Sequence, residues 1–414
     1  MKSLYRYIKE HSVVYVTRDI ERALGIPPKD GYFIITNRTP YSELIHAEYK
    51  DNVWLIDNPK NELYDTHELL NLPGVKQTLN ETNPCIVVFK NTPLIEKVCR
   101  DHNWRLMNPS AGLAEKVEHK ISQIEWLEEL AELLPPHSVV ECKELSWEGE
   151  PFIIQFNRSH TGEGTIFVQN EDALVEIQDK FPSRFVKKSA YIPGPVFTSN
   201  IAVFSSSILA GNINYQITGL PPFTEIPFST IGNDWELPKR VLSPDMISAY
   251  EHIAEQVALK MQASGWKGLF GIDVKVDTST GKVYLLEINA RQPASTTYES
   301  YLQSLNARNG AKGLTTFEAH LSALFEIPTA ENLIPISTGS QIIQRVTSSY
   351  TNGGRKVTGG TLESLIQKGF NVIPYNNAKP NADLVRIQIG TGIMHTYDTL
   401  NDLGKTVVSL LNSN

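Results

Sequence analysis

Four short apolar runs open the chain: Ser12-Val13-Val14-Tyr15-Val16, Tyr32-Phe33-Ile34-Ile35, Val53-Trp54-Leu55-Ile56 and Cys85-Ile86-Val87-Val88-Phe89. Each is continuous rather than alternating and is flanked by breakers, the pattern of strands buried on both faces of a parallel sheet. A helix is predicted over Pro93 to His102, followed by a short run from Trp104 to Met107. Leu113, Val117, Ile121, Ile124, Leu127, Leu130 and Leu134 then recur at helical spacing, and Pro135-Pro136 stop them. One helix over 113–134 follows, with Lys120 off its apolar stripe. Residues 151–168 read as strand, Gly-containing loop, strand. Ser243-Pro244 at one end and Gly265 at the other bound a further helix, with Ser as cap and Pro at its first position. It leads into Gly268–Arg291, two apolar-rich runs joined by Asp277-Thr278-Ser279-Thr280-Gly281, a hairpin with a four- or five-residue loop. Residues 335–414 mix strands and helices around Gly353-Gly354 and Gly359-Gly360. They either complete the preceding domain or form a small one of their own. Strands alternating with helices make this an α/β chain.

Composition narrows the function. The 414 residues suffice for two or three subdomains. A net charge of −8 disfavours a nucleic-acid binder, which would carry a basic stripe. No run of 18 apolar residues predicts a membrane span, and the first residues lack a secretory pattern. Cys85, Cys99 and Cys142 are odd in number and widely spaced, which suits a reducing cytoplasm better than a disulfide scaffold or zinc site.

The hairpin carries the chemistry. Alternation puts Phe270, Ile272, Val274 and Val276 on one face and Asp273 on the other; on the second strand Glu287 and Asn289 lie opposite Tyr284, Leu286 and Ile288. If Asp273 pairs with Glu287, the face holding Asp273, Glu287 and Asn289 bears only oxygen-rich side chains, and a slip of one residue would split them. Such a face either meets water or holds a hard cation such as Mg²⁺ or Mn²⁺ together with substrate phosphates. Arg291, two residues on, offers a planar fork to a phosphate or carboxylate.

Glu287-Ile-Asn289-Ala-Arg291 resembles the ExNxR form of the ATP-grasp superfamily, as in biotin carboxylase, carbamoyl phosphate synthetase and many amino-acid ligases. The resemblance covers roughly residues 10 to 330. It implies an ATP-grasp fold with a Rossmann-like domain at 1–110, a helix and lid at 111–200, a catalytic part at 201–330, and a C-terminal part, 331–414, completing the catalytic domain. It also implies a carboxylate–amine ligase using ATP and Mg²⁺ or Mn²⁺, with Asp273, Glu287 and Asn289 on the metal and Arg291 and Lys120 catalytic; the alternatives are an ATP-grasp carboxylase or kinase and a nucleotide-binding protein of the same fold without turnover. Small-molecule acid and amine substrates are expected, with no nucleic-acid or membrane partner. Many relatives are dimers, so a homodimer belongs to the expectation. Lys120 would reach the nucleotide phosphates, and the loop with Thr161, Gly162, Gly164 and Thr165 would close over them. Residues 185–203 resemble the adenine hinge, where backbone groups from Lys188 to Ile192, including Tyr191, would hold the base.

The sequence departs from the family twice. The lysine that usually ends the first lid strand corresponds to Gln155, and Arg158 is the expected substitute for its charge. The glutamate that usually takes the ribose hydroxyls corresponds to Val196. Between lid and hairpin, Gln216, Asn233 and Asp234 either bind a polar acceptor or belong to a loop held by Asx turns. Arg18, Asp19 and Arg22 follow the first strand, where α/β sheets often bind ligands; an ordinary solvated helix start is the alternative.

Overall fold

The computed structural model describes residues 2–59, 62–157, 164–351, 356–375 and 377–412. The first apolar runs form β1 (Val13–Thr17), β2 (Tyr32–Asn37), β3 (Val53–Ile56), β4 (Cys85–Val88) and β5 (Arg105–Leu106). They make a parallel sheet in the order β3-β2-β1-β4-β5. Every residue of β1 and β4 is buried, because helices cover both faces. Leu69, Leu79, Ile95 and Val98 pack on one side; Leu4 and Ile8 pack on the other with Phe317, Leu321 and Leu324 of a distant helix, Thr316–Leu324. There a Cβ on Gly25 would stand 2.1 Å from the Phe317 ring, so the contact needs glycine.

The helix expected over 113–134 is broken. It runs Ala111–Glu118, resumes as Ser122–Leu127, and finishes as a 3₁₀ turn over Glu128–Leu133. The break has a partner. Asn157 accepts the Lys120 N–H on its carbonyl oxygen at 3.2 Å and the Ile121 N–H on Oδ1 at 3.0 Å. Two backbone donors that would have served the helix are thus satisfied from outside it. The apolar stripe survives: Val117, Leu127 and Leu134 still enter the main core.

β6 (His137–Glu141), β7 (Phe152–Phe156), β8 (Thr165–Val168) and β9 (Phe185–Ala190) form a small antiparallel sheet in the order β6-β9-β7-β8. One face, with Phe152, Ile154 and Val186, packs under the Glu171–Lys180 helix. Alternation turns Ile153, Gln155, Lys187 and Ser189 to the other face.

The remaining strands are β10 (Val196–Val203), β11 (Ile208–Ala210), β12 (Asn214–Thr218), β13 (Thr230–Asp234), β14 (Gly268–Val276), β15 (Val283–Asn289), β16 (Ser340–Arg345), β17 (Asn371–Pro374) and β18 (Asp383–Ile389). They join one nine-stranded antiparallel sheet, β15-β14-β10-β12-β13-β16-β18-β17, with β11 beside β10. The C-terminal strands therefore extend the sheet that carries the hairpin. Its apolar face packs on the Pro244–Ala263 helix, which Ser243 caps through the Met246 N–H. Its opposite face carries polar side chains in a row. Among the described residues no helix is long and apolar enough to cross a membrane.

Candidate active site

The hairpin register brings the acids together. Asp273 pairs with Glu287 and Gly271 with Asn289, and a bulge follows Asp273. Asp277 and Lys282 close the loop, where Asp277 Oδ1 and Oδ2 take the Ser279 and Thr280 hydroxyls. Gly271 lets Pro293 approach, for a Cβ there would sit 3.0 Å from the proline ring.

Lys120, delivered by the helix break, reaches Glu287 Oε1 at 2.7 Å. Its own side chain is 4% exposed and that of Glu287 35%. Burial alone would raise the Glu287 carboxyl, but the Lys120 ammonium, with Arg291 and Lys187 beyond it, holds it below the usual carboxylate range. Asp273 behaves oppositely. Burial and the Glu287 charge push it up, and Thr198, Gln216 and Asn289 pull it only part of the way back. Its Oδ1 is buried with no hydrogen bond among the described residues. Two carboxylates of one site thus sit in unlike surroundings, a mark of functional sites. An orphaned carboxylate oxygen facing a second carboxylate fits a hard cation. No group of three or more His, Cys, Asp or Glu is gathered anywhere among the described residues. The two carboxylates would therefore leave most coordination positions to water and phosphate oxygens, as Mg²⁺ prefers.

Asn289 stands between the charged groups. Its Nδ2 donates to Asp273 Oδ2 at 3.3 Å, and its Oδ1 accepts from Arg291 Nη2 at 2.9 Å. In this arrangement its amide links Asp273 to Arg291, and Oδ1 keeps a second lone pair. Arg291 is also 3.7 Å from Glu118 and lies over the Phe89 ring. Glu118 in turn pairs with Lys90. Arg22 covers the same ring and donates to the Ala294 carbonyl at 2.9 Å, while Asp19 caps its 3₁₀ turn and Arg18 forms an exposed pair with Asp65.

The substrate residues expected from the sequence separate. Gln216 pairs with Asn233 and stands next to Asp273. Asn233 donates to Asn214 Oδ1 at 2.7 Å and accepts from Gln341 Nε2 at 2.8 Å. Gln341 accepts from Arg386, which is wholly buried against Glu21 of the first domain. The row Asp273, Gln216, Asn233, Gln341, Arg386 crosses six strands on one face, from β14 over β10 to β18. Asp234 does not join it. Its Oδ1 accepts the Glu236 and Leu237 N–H groups and its Oδ2 those of Ile393 and Met394. Fully buried and saturated by backbone, Asp234 anchors the C-terminal segment instead of a substrate; an Asp one residue further along a strand faces the other way.

At the nucleotide end, Arg158, Thr161 and Gly162 lie outside the described residues. Gly164 accepts the Phe156 N–H, and Thr165 stands across from Gln155, whose Nε2 reaches its hydroxyl at 3.4 Å. Lys188 is paired on both sides of β9, to Ser138 and Ile154, and its ammonium lies over the Phe152 ring towards Glu148. Its side chain thus faces the lid's own core, whereas Tyr191 and Ile192 lie just past the strand, where Tyr191 meets Phe167. Val196 is paired with Lys275 across the ladder, and burial holds that lysine down to about 8.

Two residues escape the sequence reading. Asn157, at the end of β7, fixes Lys120. Lys187 lies on the face opposite Lys188 and is 1% exposed; burial, then Lys120, bring its ammonium down to about 8, against the pull of Glu287. The alternation of Val186 with Lys187, matched to Phe152 and Ile154 on β7, is the signal that separates the two lysines.

No family model and no curated protein matches the sequence. Solved structures match nearly its whole length. The N5-carboxyaminoimidazole synthase of Aspergillus clavatus, in complex with ADP and 5-aminoimidazole ribonucleotide, aligns with a TM-score of 0.67 at 13% identity, over 98% of this chain and 100% of that one. The N5-carboxyaminoimidazole synthetase of Staphylococcus aureus, complexed with ADP, aligns at 0.64 and 13% identity over 97% of each chain. Biotin carboxylase from Campylobacter jejuni, as a β-γ-ATP complex, aligns at 0.61 and 14% identity over 93% of this chain and 89% of that one. The fold is the ATP-grasp fold. The resemblance carried by five residues of the hairpin thus extends to the topology of the entire chain.

Proposed function

We propose that this protein is a cytoplasmic, ATP-dependent ligase that joins a carboxylate to an amine and releases ADP and phosphate. The observation that carries the reading is the register pairing Asp273 with Glu287 inside a ring of Lys120, Asn289, Arg291 and Gln216. Asp273 and Glu287 would hold Mg²⁺ beside the nucleotide phosphates. When bound, the ion supplies charge neutralisation and in-line orientation for phosphoryl transfer. An oxygen of the acid attacks the γ-phosphorus and ADP leaves. The amine nitrogen then attacks the acyl carbon, phosphate departs, and the nitrogen loses a proton as the amide forms.

The chain's own groups have distinct tasks. Lys120, already beside Glu287, is placed to follow negative charge onto the transferring phosphoryl group. Arg291, held by Asn289 over Phe89, offers its remaining N–H groups to the acid. The polar row from Gln216 to Gln341 gives the acceptor hydrogen bonds along the sheet. Tyr191 and Ile192 would meet adenine by their backbone, with Gly164 and Thr165 near the phosphates. The limits 1–110, 111–200, 201–330 and 331–414 stand as the proposed division of labour, the last part completing the sheet.

The names of the structural neighbours favour one narrower reading, in which the acid is bicarbonate and the product a carboxylated amine. A phosphate-release assay with ATP and Mg²⁺ tests both. Release that requires an organic acid and an amine supports the ligase, release with bicarbonate and an amine alone supports the narrower form, and no release with any pair counts against the proposal.

A further inference from the structure

Lys187 has no task in that scheme, yet its position is costly. Its side chain is almost wholly buried, and no hydrogen bond or ion pair holds its ammonium among the described residues. The nearest charges are Lys120, which repels it, and Glu287, already taken by Lys120. A buried ammonium without a partner destabilises a fold unless an anion completes it. Lys188, its neighbour, meets Glu148 and an aromatic face on the other side of the sheet. Among the described residues, only one of the adjacent lysines is left without a counter-charge of its own.

The register supplies the reason. Gln155 and Lys187 are direct partners across β7 and β9. Opposite residues of an antiparallel pair share a face, with Cβ atoms about 4.5–5.5 Å apart. Position 155 is where the ATP-grasp resemblance calls for a lysine and this chain has glutamine. We infer that Lys187 binds the nucleotide phosphates in place of a lysine at 155, the cation having moved sideways by one strand. The inference rests on the ATP-binding reading above. A four-carbon stem spans the offset of about 4.8 Å between neighbouring strands, so the ammonium reaches the same space from a different root. The anion it takes is a polyphosphate on the lid's inner face, bounded by Lys120 on the opposite side.

The test is calorimetric binding of Mg²⁺–ATP, Mg²⁺–ADP and adenosine to the full chain, with the melting temperature of each free protein. The proteins are wild type, Lys187→Met, the exchange Gln155→Lys with Lys187→Gln, and Lys143→Met as an exposed lid lysine. Lys187→Met should weaken ATP and ADP roughly tenfold to a hundredfold, the worth of one charged hydrogen bond, and leave adenosine unchanged. It should also raise the melting temperature of the free protein, because an uncompensated charge has gone. The exchange should recover most of the lost affinity, and Lys143→Met should bind as wild type does. Wild-type affinity for ATP in Lys187→Met overturns the assignment while sparing the ATP-binding reading. So does a Lys187→Met protein that is destabilised or loses adenosine equally. Failure of the wild type to bind any nucleotide overturns both.

Discussion

The two ends of the site are built in opposite ways. The hairpin end draws Asp273, Glu287 and Asn289 from two adjacent strands joined by one short loop, a single register aligns them, and Arg291 follows two residues past the second strand. The lid end draws Lys120 from a broken helix, Asn157 from the end of β7 and Lys187 from β9. The hairpin tolerates little change, since a slip of one residue sends its acids to opposite faces. The lid can relocate a charge, because any of several facing positions reaches the same volume. Metal ligation demands fixed oxygens. A polyphosphate, with charge spread over many oxygens, accepts a cation from several directions.

The contrast can be broken at either end. The largest effect is expected at the hairpin. Glu287→Gln should lower kcat/KM about a thousandfold or more in phosphate release, a loss of about 4 kcal/mol of transition-state stabilisation. Turnover within tenfold of wild type would mean that the hairpin is not the reacting centre. Asp234→Ala asks whether any acid in this region would do as much. It strands four backbone N–H groups, three of them in buried bonds and each worth about 1–3 kcal/mol. Its urea midpoint should fall sharply, and any folded fraction should keep wild-type KM for ATP; a selective rise in the acceptor KM with unchanged stability would return Asp234 to the substrate site. Asn157→Ala should cost about 1–2 kcal/mol through the lost side-chain bond to the Ile121 N–H, the backbone bond to Lys120 remaining, and weaken Mg²⁺–ATP several-fold by loosening the turn that carries that lysine. An intact ATP affinity would show that the break holds without it.

The smallest effect is a slope with pH. Glu299, fully buried against Asn200 and Asn212, is raised by burial to about 7. The folded protein thus keeps a proton that the unfolded chain has released above its ordinary value of 4.5. This group's contribution is fully favourable below that value and is lost as pH rises towards 7. Glu299→Gln should flatten stability between pH 5 and pH 7, read from urea midpoints at each pH; an unchanged slope would assign the proton elsewhere.

What the sequence disclosed follows the same division. Continuous apolar runs located the parallel sheet, and period-two alternation put Glu287 and Asn289 on one face, with Asp273 beside them once it is paired with Glu287; the bulge after Asp273 then turns Leu285 rather than Leu286 into the core. Both signals are local. The break at His119–Ile121 was hidden because its cause, Asn157, lies 36 residues beyond Ile121 and competes with a regular apolar stripe. Asp234 looked like Asn233 because both are polar, and only the strand phase separates them. Lys187 stayed invisible beside Lys188 until the pairing with Gln155 was known. Which polar side chain a strand turns inward is decided by its neighbours, and neighbours in this antiparallel sheet are distant in sequence.

The Thr316–Leu324 helix has a bearing on how this polypeptide can be dismantled. Phe317, Leu321 and Leu324 complete the hydrophobic face of a sheet built from the first 110 residues, while Ala319 and Ala323 of the same helix pack under β10 and β14. The N-terminal region is therefore not a transplantable module. A gene truncated near residue 110 would encode a sheet with one side stripped, prone to clumping, and grafting that region onto another catalytic half would require carrying along a helix encoded two hundred codons downstream.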